Sequence, residues 1–327
     1  MIHNLSKQLH ESLGITELQL ERIIQRSPNT YKTYPIPKRS GGFRIIAQPA
    51  KETKFIQYWL ITNVFSSFIV HDSATAYKSG ASITKNARIH QRNTFLSKFD
   101  FKDFFGSITY DTVLSFFSRE LSAIYSEADV AAMARVSCIK HEGRRQMCLS
   151  IGAPSSPLLS NAIMRRFDEE VFEWSGKMGV AYTRYADDLT FSSNIKDLCT
   201  EIDEKLRLSI ARLTDVQLSL NDKKTIHVSK KHQRRITGVI LNNNDELSLG
   251  RERKREISAM LHRFTHNRLP DGEIFRLQGL LGFAADVEPS FVFSMNIKYG
   301  NQILSELFKK RTEKLGSDRG LWIDLPS

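Results

Sequence analysis

Tyr185-Ala186-Asp187-Asp188 stands between two short β-rich runs, Val180–Tyr185 and Leu189–Ser193. Adjacent carboxylates at the tip of such a hairpin repel each other and gain nothing from burial in a core. A divalent cation between them reverses that cost, because hard carboxylate oxygens suit Mg2+. Alone, the pair also fits a solvated acidic turn. A second segment tightens the constraint. Thr94–Phe99 reads as a hydrophobic strand that delivers Asp100 to the point where a loop begins. If that strand lies beside the hairpin, Asp100 and Asp187 meet at one sheet edge. Two ions held there, about 3.5–4 Å apart, suit in-line nucleotidyl transfer: they activate a hydroxyl and stabilise a leaving phosphate oxygen.

A polyanionic partner agrees with the charge. The 327 residues carry 47 Lys+Arg against 36 Asp+Glu, a formal +11. Such a surplus favours phosphate contacts that release condensed counterions. It is concentrated between Lys223 and Arg255, where ten basic residues face three acidic ones. Arg251, Arg253, Lys254 and Arg255 open a predicted helix, and core packing is not expected to need four cations there. The three cysteines, Cys138, Cys148 and Cys199, form no C-x-x-C pair, so neither zinc nor a disulfide framework is indicated. Their sparseness suits a reducing cytoplasm. The segment MIHNLSKQLHESLG lacks the apolar core of a signal peptide. No run approaches the ~18 apolar residues of a membrane span. The expectation is a cytoplasmic protein with no membrane partner.

Along the chain, two short helices are predicted first, the second capped by Thr16 with Leu18, Ile23 and Ile24 as its apolar stripe. A hairpin follows over Tyr31–Pro49, turning at Ser40-Gly41-Gly42 with Lys38, Arg39 and Arg44 beside the turn. A helix is expected at about Lys51–Ile69. After the Asp100 strand come a helix capped by Asp111, another over Ser126–Ser137, and a hairpin from Cys138 to Leu149 turning at Glu142-Gly143. Helices are expected over about Leu158–Met178 and Ile195–Leu213, strands near Thr225–Val228 and Arg235–Leu241, and helix from Gly250 to about Lys314. Strands clustered in hairpins make this an α+β chain.

In this order the motifs resemble those of reverse transcriptases, over about residues 30–240. The resemblance implies a right-hand polymerase: N-terminal helices and fingers over 1–97, an antiparallel-sheet palm over 98–241 with a finger-like insertion at about 139–157, and a helical, RNA-binding thumb over 242–327. It implies two Mg2+ ions on Asp100, Asp187 and the main-chain carbonyl of Phe101, with Asp188 as the supporting carboxylate. Lys38 and Arg44 would grip the triphosphate of the dNTP. The Phe105 ring would lie under the sugar and exclude a 2′-hydroxyl, while Phe104 is read as core. Gly152, in Ile151-Gly152-Ala153-Pro154-Ser155-Ser156-Pro157, would let backbone approach the nucleotide. Many relatives have Gln where this chain has Ile151, so that polar contact to the sugar is lost. Lys224 fits the lysine that protonates departing pyrophosphate, and equally a surface phosphate contact.

Asn86-Ala87-Arg88-Ile89-His90 and Ile236-Thr237-Gly238 are similar to two signatures of retron reverse transcriptases, the second one apolar swap away. That narrower resemblance implies an enzyme that binds its own structured non-coding RNA and starts DNA from the 2′-hydroxyl of an internal guanosine, leaving branched RNA-linked DNA. Asn86, His90, Thr237 and the four cations at 251–255 are its expected RNA contacts, although a core role for His90 is the alternative. With no RNase H or nuclease module read in the chain, template removal would fall to a host RNase H. An effector (toxin) protein and a role in antiphage defence are also implied. The alternatives are an intron or diversity-generating type of reverse transcriptase, and a scaffold that holds RNA–DNA and restrains a toxin.

Overall fold

The computed structural model describes residues 3–38 and 41–317. Arg39 and Ser40 of the expected hairpin turn, and the thumb expectation beyond residue 317, lie outside the described residues.

Helix α1 (Leu5–Leu13) starts at the Asn4 cap, and α2 (Glu17–Arg26) at Thr16, where a reciprocal capping box with Gln19 satisfies two backbone N–H groups. The buried stripe of α2 is Leu20 and Ile23, whereas Leu18, expected inside, is 58% exposed. Strands β1 (Tyr31–Pro37) and β2 (Phe43–Pro49) form an antiparallel hairpin. Gly41 and Gly42 both take positive φ at its tip, which glycine adopts without a Cβ clash. Then come α3 (Lys51–Asn63) and α4 (Ile83–His90).

Strand β3 (Phe95–Asp100) leads into a short α5 (Phe104–Ser107), α6 (Tyr110–Leu121) and α7 (Glu127–Ser137). Thr109, not Asp111, caps α6: its hydroxyl accepts from the Thr112 N–H, while the Asp111 carboxylate takes Gln146. The expected 138–149 hairpin is a single bridge, Ile139 to Cys148, turned by Gly143. The predicted helix over 158–178 is two, α8 (Ser156–Ile163) and α9 (Arg165–Lys177), broken at Met164. Strands β4 (Ala181–Tyr185) and β5 (Asp188–Ser193), α10 (Cys199–Ala211) and β6 (Ile226–Ser229) follow. The single strand expected over 235–241 is a hairpin, β7 (Arg234–Ile236) and β8 (Val239–Leu241), because Thr237 and Gly238 both turn at positive φ. A short β9 (Leu247–Ser248) completes that sheet, and α11 (Arg251–Thr265), α12 (Asp271–Val287), α13 (Pro289–Tyr299) and α14 (Asn301–Ser317) end the described chain.

The chain divides into two compact units. One contains residues 1–82 and 93–228 and is built on a four-stranded sheet in the order β4-β5-β3-β6. Its core joins Phe99 and Phe191 of the sheet to Phe101, Phe117 and Phe167, all 1% exposed or less. Each such side chain contributes about 1.5–3 kcal/mol on burial. The other unit contains 229–327 with 83–92: α4, placed by sequence order among 1–97, packs on the β7-β8-β9 sheet.

Candidate active site

Strand β3 runs antiparallel to β5 and sets Asp100 opposite Asp188. Tyr185 pairs with Asp188 across a two-residue turn, in which Ala186 takes φ 59°. The Phe101 N–H donates to the Asp187 carbonyl at 3.0 Å, so the first strand is tied to the turn itself. The three carboxylates therefore share one end of the four-stranded sheet, with Asp100 6% exposed and the other two half-buried.

The electrostatics match anions held together. Burial, then repulsion from Asp100, raises Asp187, although its own backbone N–H and the cations Lys224 and Arg44 oppose this. Burial raises Asp188 to about 6, with Asp187 and Asp100 adding to it and Lys98 opposing. Lys224 Nζ sits 2.6 Å from Asp100 Oδ1. Burial pulls that ammonium down, but the bond to Asp100 and the charges of Asp187 and Asp188 outweigh it and leave Lys224 raised. Asn221 braces the same aspartate, its N–H donating to the Asp100 carbonyl at 2.7 Å.

This donor set, carboxylate oxygens gathered at one end of the sheet, fits a hard divalent cation. Among the described residues, no three His, Cys, Asp or Glu side chains form a ready-made metal cluster. Mg2+ does not need one, because it commonly takes one or two carboxylates and completes its shell with water and substrate phosphate. The Phe101 carbonyl is compatible with ligation. The bridge between Phe101 and Leu220 is closed by Lys102 N–H to Ser219 and Asn221 N–H to Asp100, and does not engage it.

Beside the carboxylates opens a groove of about 1080 Å3. Lys38 and Arg44 enter it from the β1–β2 hairpin, with Phe105, Ile151 and Lys224 on its walls. Phe104 is core, 3% exposed and stacked on Phe101, while Phe105 is only partly buried. Gly152 is crowded by the chain itself, next to the groove-lining Ile151. A Cβ there would come within 2.8 Å of the Ala47 carbonyl, so the close approach is to β2, whose Ala47 N–H donates to the Ile151 carbonyl at 2.7 Å.

Sequence reasoning missed two features. Arg144 reaches the groove, donating to the Gly106 carbonyl at 3.0 Å and pairing with Asp103. Arg184, on β4, is fully buried, donates to Asp168 on α9 and to Asn161, and reaches the Ala186 carbonyl at 3.2 Å. An arginine inside the β-rich run before the Asp-Asp turn was the one sequence hint, but its partner lies on another element.

The expected RNA contacts divide. Asn86 and His90 are fully buried within the second unit, so they are interior residues and not exposed contacts. Thr237 holds a strained left-handed φ of 46° at the β7–β8 turn. Arg253 stacks 4.6 Å from the Phe283 centroid, and Lys254 pairs with Glu288 at 2.5 Å, so packing does use two of the four cations. Arg251 and Arg255 are exposed. No helix among the described residues is long and apolar enough to cross a membrane.

Residues 36–241 match the family described as reverse transcriptase (RNA-dependent DNA polymerase). The retron Ec83 reverse transcriptase of Escherichia coli is 38% identical over 88% of this chain and 93% of its own length. The retron Ec73 enzyme of the same species is 30% identical over 86% and 90%. Among solved structures, apo telomerase from Candida tropicalis matches with a TM-score of 0.48 and 11% identity, over 85% of this chain and 58% of that one. The chain thus belongs to the reverse transcriptases, the RNA-directed DNA polymerases, and within them to the retron enzymes.

Proposed function

We propose that this polymerase binds its own structured non-coding RNA and extends DNA from the 2′-hydroxyl of an internal guanosine, leaving branched RNA-linked single-stranded DNA. Similarity to the retron Ec83 enzyme along nearly the whole of both chains carries this reading. The catalytic residues are Asp100, Asp187 and Asp188. Asp100, Asp187 and the Phe101 carbonyl would hold two Mg2+ ions, with Asp188 in support. When bound, the ions supply activation of the attacking hydroxyl and neutralisation of the leaving phosphate oxygens.

The remaining roles belong to this chain's own groups. Lys38 and Arg44 bind the triphosphate, the arginine by its planar fork and the lysine as a compact charge. Phe105 fills the space a 2′-hydroxyl would need. Lys224, which pairs with Asp100, offers a proton to pyrophosphate. Its neighbours at that moment are carboxylates and phosphates, both of which favour the protonated ammonium. Template removal by a host RNase H, an effector protein held by the complex, a cytoplasmic location and a part in antiphage defence complete the reading.

Sequencing the nucleic acid that copurifies with the wild type and with an Asp187→Ala, Asp188→Ala variant tests it. The expected product is a short defined DNA joined 2′–5′ to RNA, in the wild type alone. Full-length branched DNA from the variant would defeat the metal assignment. RNA without DNA in both would favour the scaffold.

A further inference from the structure

Tyr77 has φ 60°, the left-handed region that bulky side chains rarely occupy unless the surroundings hold them there. The restraint is visible. Two residues earlier, the Thr75 N–H and hydroxyl both donate to the Arg184 carbonyl, at 2.8 and 3.1 Å. The Ala76 carbonyl accepts from Asn161 Nδ2 at 2.8 Å. Asn161 Oδ1 in turn accepts from the Arg184 guanidinium at 3.1 Å, and that guanidinium also holds the Ala186 carbonyl. One buried cation therefore fixes both the segment that presents Tyr77 and the turn that presents Asp187.

The ring so presented fills no core. It is 48% exposed, lines the groove, and lies 6.4 Å from the Phe105 ring, centroid to centroid. Burial, then the charges of Asp187 and Tyr185, raise its phenol above the ordinary value, while Arg44 opposes. The hydroxyl thus stands in the field of both the catalytic turn and the finger arginine. A backbone held in a strained conformation to display a half-exposed aromatic ring is an arrangement found at ligand sites.

We propose that Tyr77 is a nucleotide-binding residue whose ring forms, with Phe105, a two-sided aromatic wall around the sugar and base of the incoming deoxynucleoside triphosphate. This rests on the groove being the nucleotide site. Phe105 excludes a 2′-hydroxyl, and Tyr77 supplies the face against which the remaining nucleotide is held. Its contribution is binding, so its loss acts on KM.

The test is single-nucleotide incorporation on a generic primed RNA template by the full chain, with thermal melting alongside. Tyr77→Asn suits the left-handed backbone, because Asn tolerates that region. It should raise KM for the dNTP roughly tenfold and change kcat by no more than about threefold. Tyr77→Phe keeps the ring and should stay within about twofold of the wild type. KM does not depend on how much enzyme is folded, so a lowered Tm does not obscure the result. A wild-type KM in Tyr77→Asn, with or without a loss of Tm, would make Tyr77 a loop-packing residue and overturn the proposal. A Phe variant as impaired as the Asn variant would overturn the ring's role. If Lys38→Ala, Arg44→Ala also left KM unchanged, the groove assignment itself would fall with it.

Discussion

Arg184 and Asp168 carry opposite charges with no exposed side-chain surface, 2.5 Å apart, and Tyr182 also donates its hydroxyl to Asp168. Removing one partner of such a pair strands the other in a medium that cannot solvate it, which costs about 3–5 kcal/mol. Asp168→Ala should therefore lose about that much stability in urea unfolding. Replacing both, as Arg184→Met with Asp168→Leu, should recover most of it. Incorporation should stay impaired in the double variant, because the guanidinium that holds the Ala186 carbonyl is gone. Full activity there would show that the turn holds itself. The meeting of the three carboxylates at one sheet end was legible in the sequence, since adjacency and a strand end are local facts. The arginine behind them was not. Its partner is 16 positions away on α9, and only the packing of that helix on β4 joins them.

Helix α4 shows the same limit one level up. Its Asn-Ala-x-x-His pattern was plain in the sequence, but chain order set it in the fingers, and contacts with strands some 150 positions later place it in the second unit. Patterning revealed most helices and both sheet strands that carry the clustered aspartates, because each buries a face that periodicity shows. It failed where backbone geometry decided: at Met164, which splits one helix into two, and at Thr237-Gly238, which splits one strand. Burial inside the α4 unit lowers His90 from 6.5 to about 3. The sign follows from proton uptake. Above pH 6.5 both folded and unfolded states keep this imidazole neutral, whereas between 6.5 and 3 only the unfolded state is protonated. Stability should then fall by up to about 1.4 kcal/mol per pH unit as acid is added. Urea unfolding of the wild type and His90→Gln from pH 7.5 to 5 measures the difference. The variant should show a shallower slope by one proton, and equal slopes would mean that His90 is protonated in the fold.

Over the whole molecule, the charge surplus is part structure and part surface. Of the basic run at 223–255, Lys224 lies on Asp100, Lys230 on Asp245 and Lys254 on Glu288, and Arg234 is buried with its guanidinium on the Asn242 carbonyl. Those cations neutralise or brace the protein itself. Arg251 and Arg255, one helical turn apart on α11, are exposed, as are Lys223 and Lys231. Composition could not sort the two groups, because it counts charges without their partners. RNA binding can. Arg251→Ala with Arg255→Ala should leave Tm within about 1 °C, since exposed charges contribute little to stability. It should weaken binding of a structured RNA and flatten the log–log salt dependence by roughly 1.5, the release of two phosphate contacts. Arg253→Ala with Lys254→Ala should do the reverse, lowering Tm by removing the contacts to Phe283 and Glu288 while the salt slope changes less. Filter binding across a salt series, with melting curves for both variants, separates the outcomes. If the inward pair flattened the slope and the outward pair did not, the RNA-binding face would lie elsewhere on the chain, and the exposed cations of α11 would be a solvated surface.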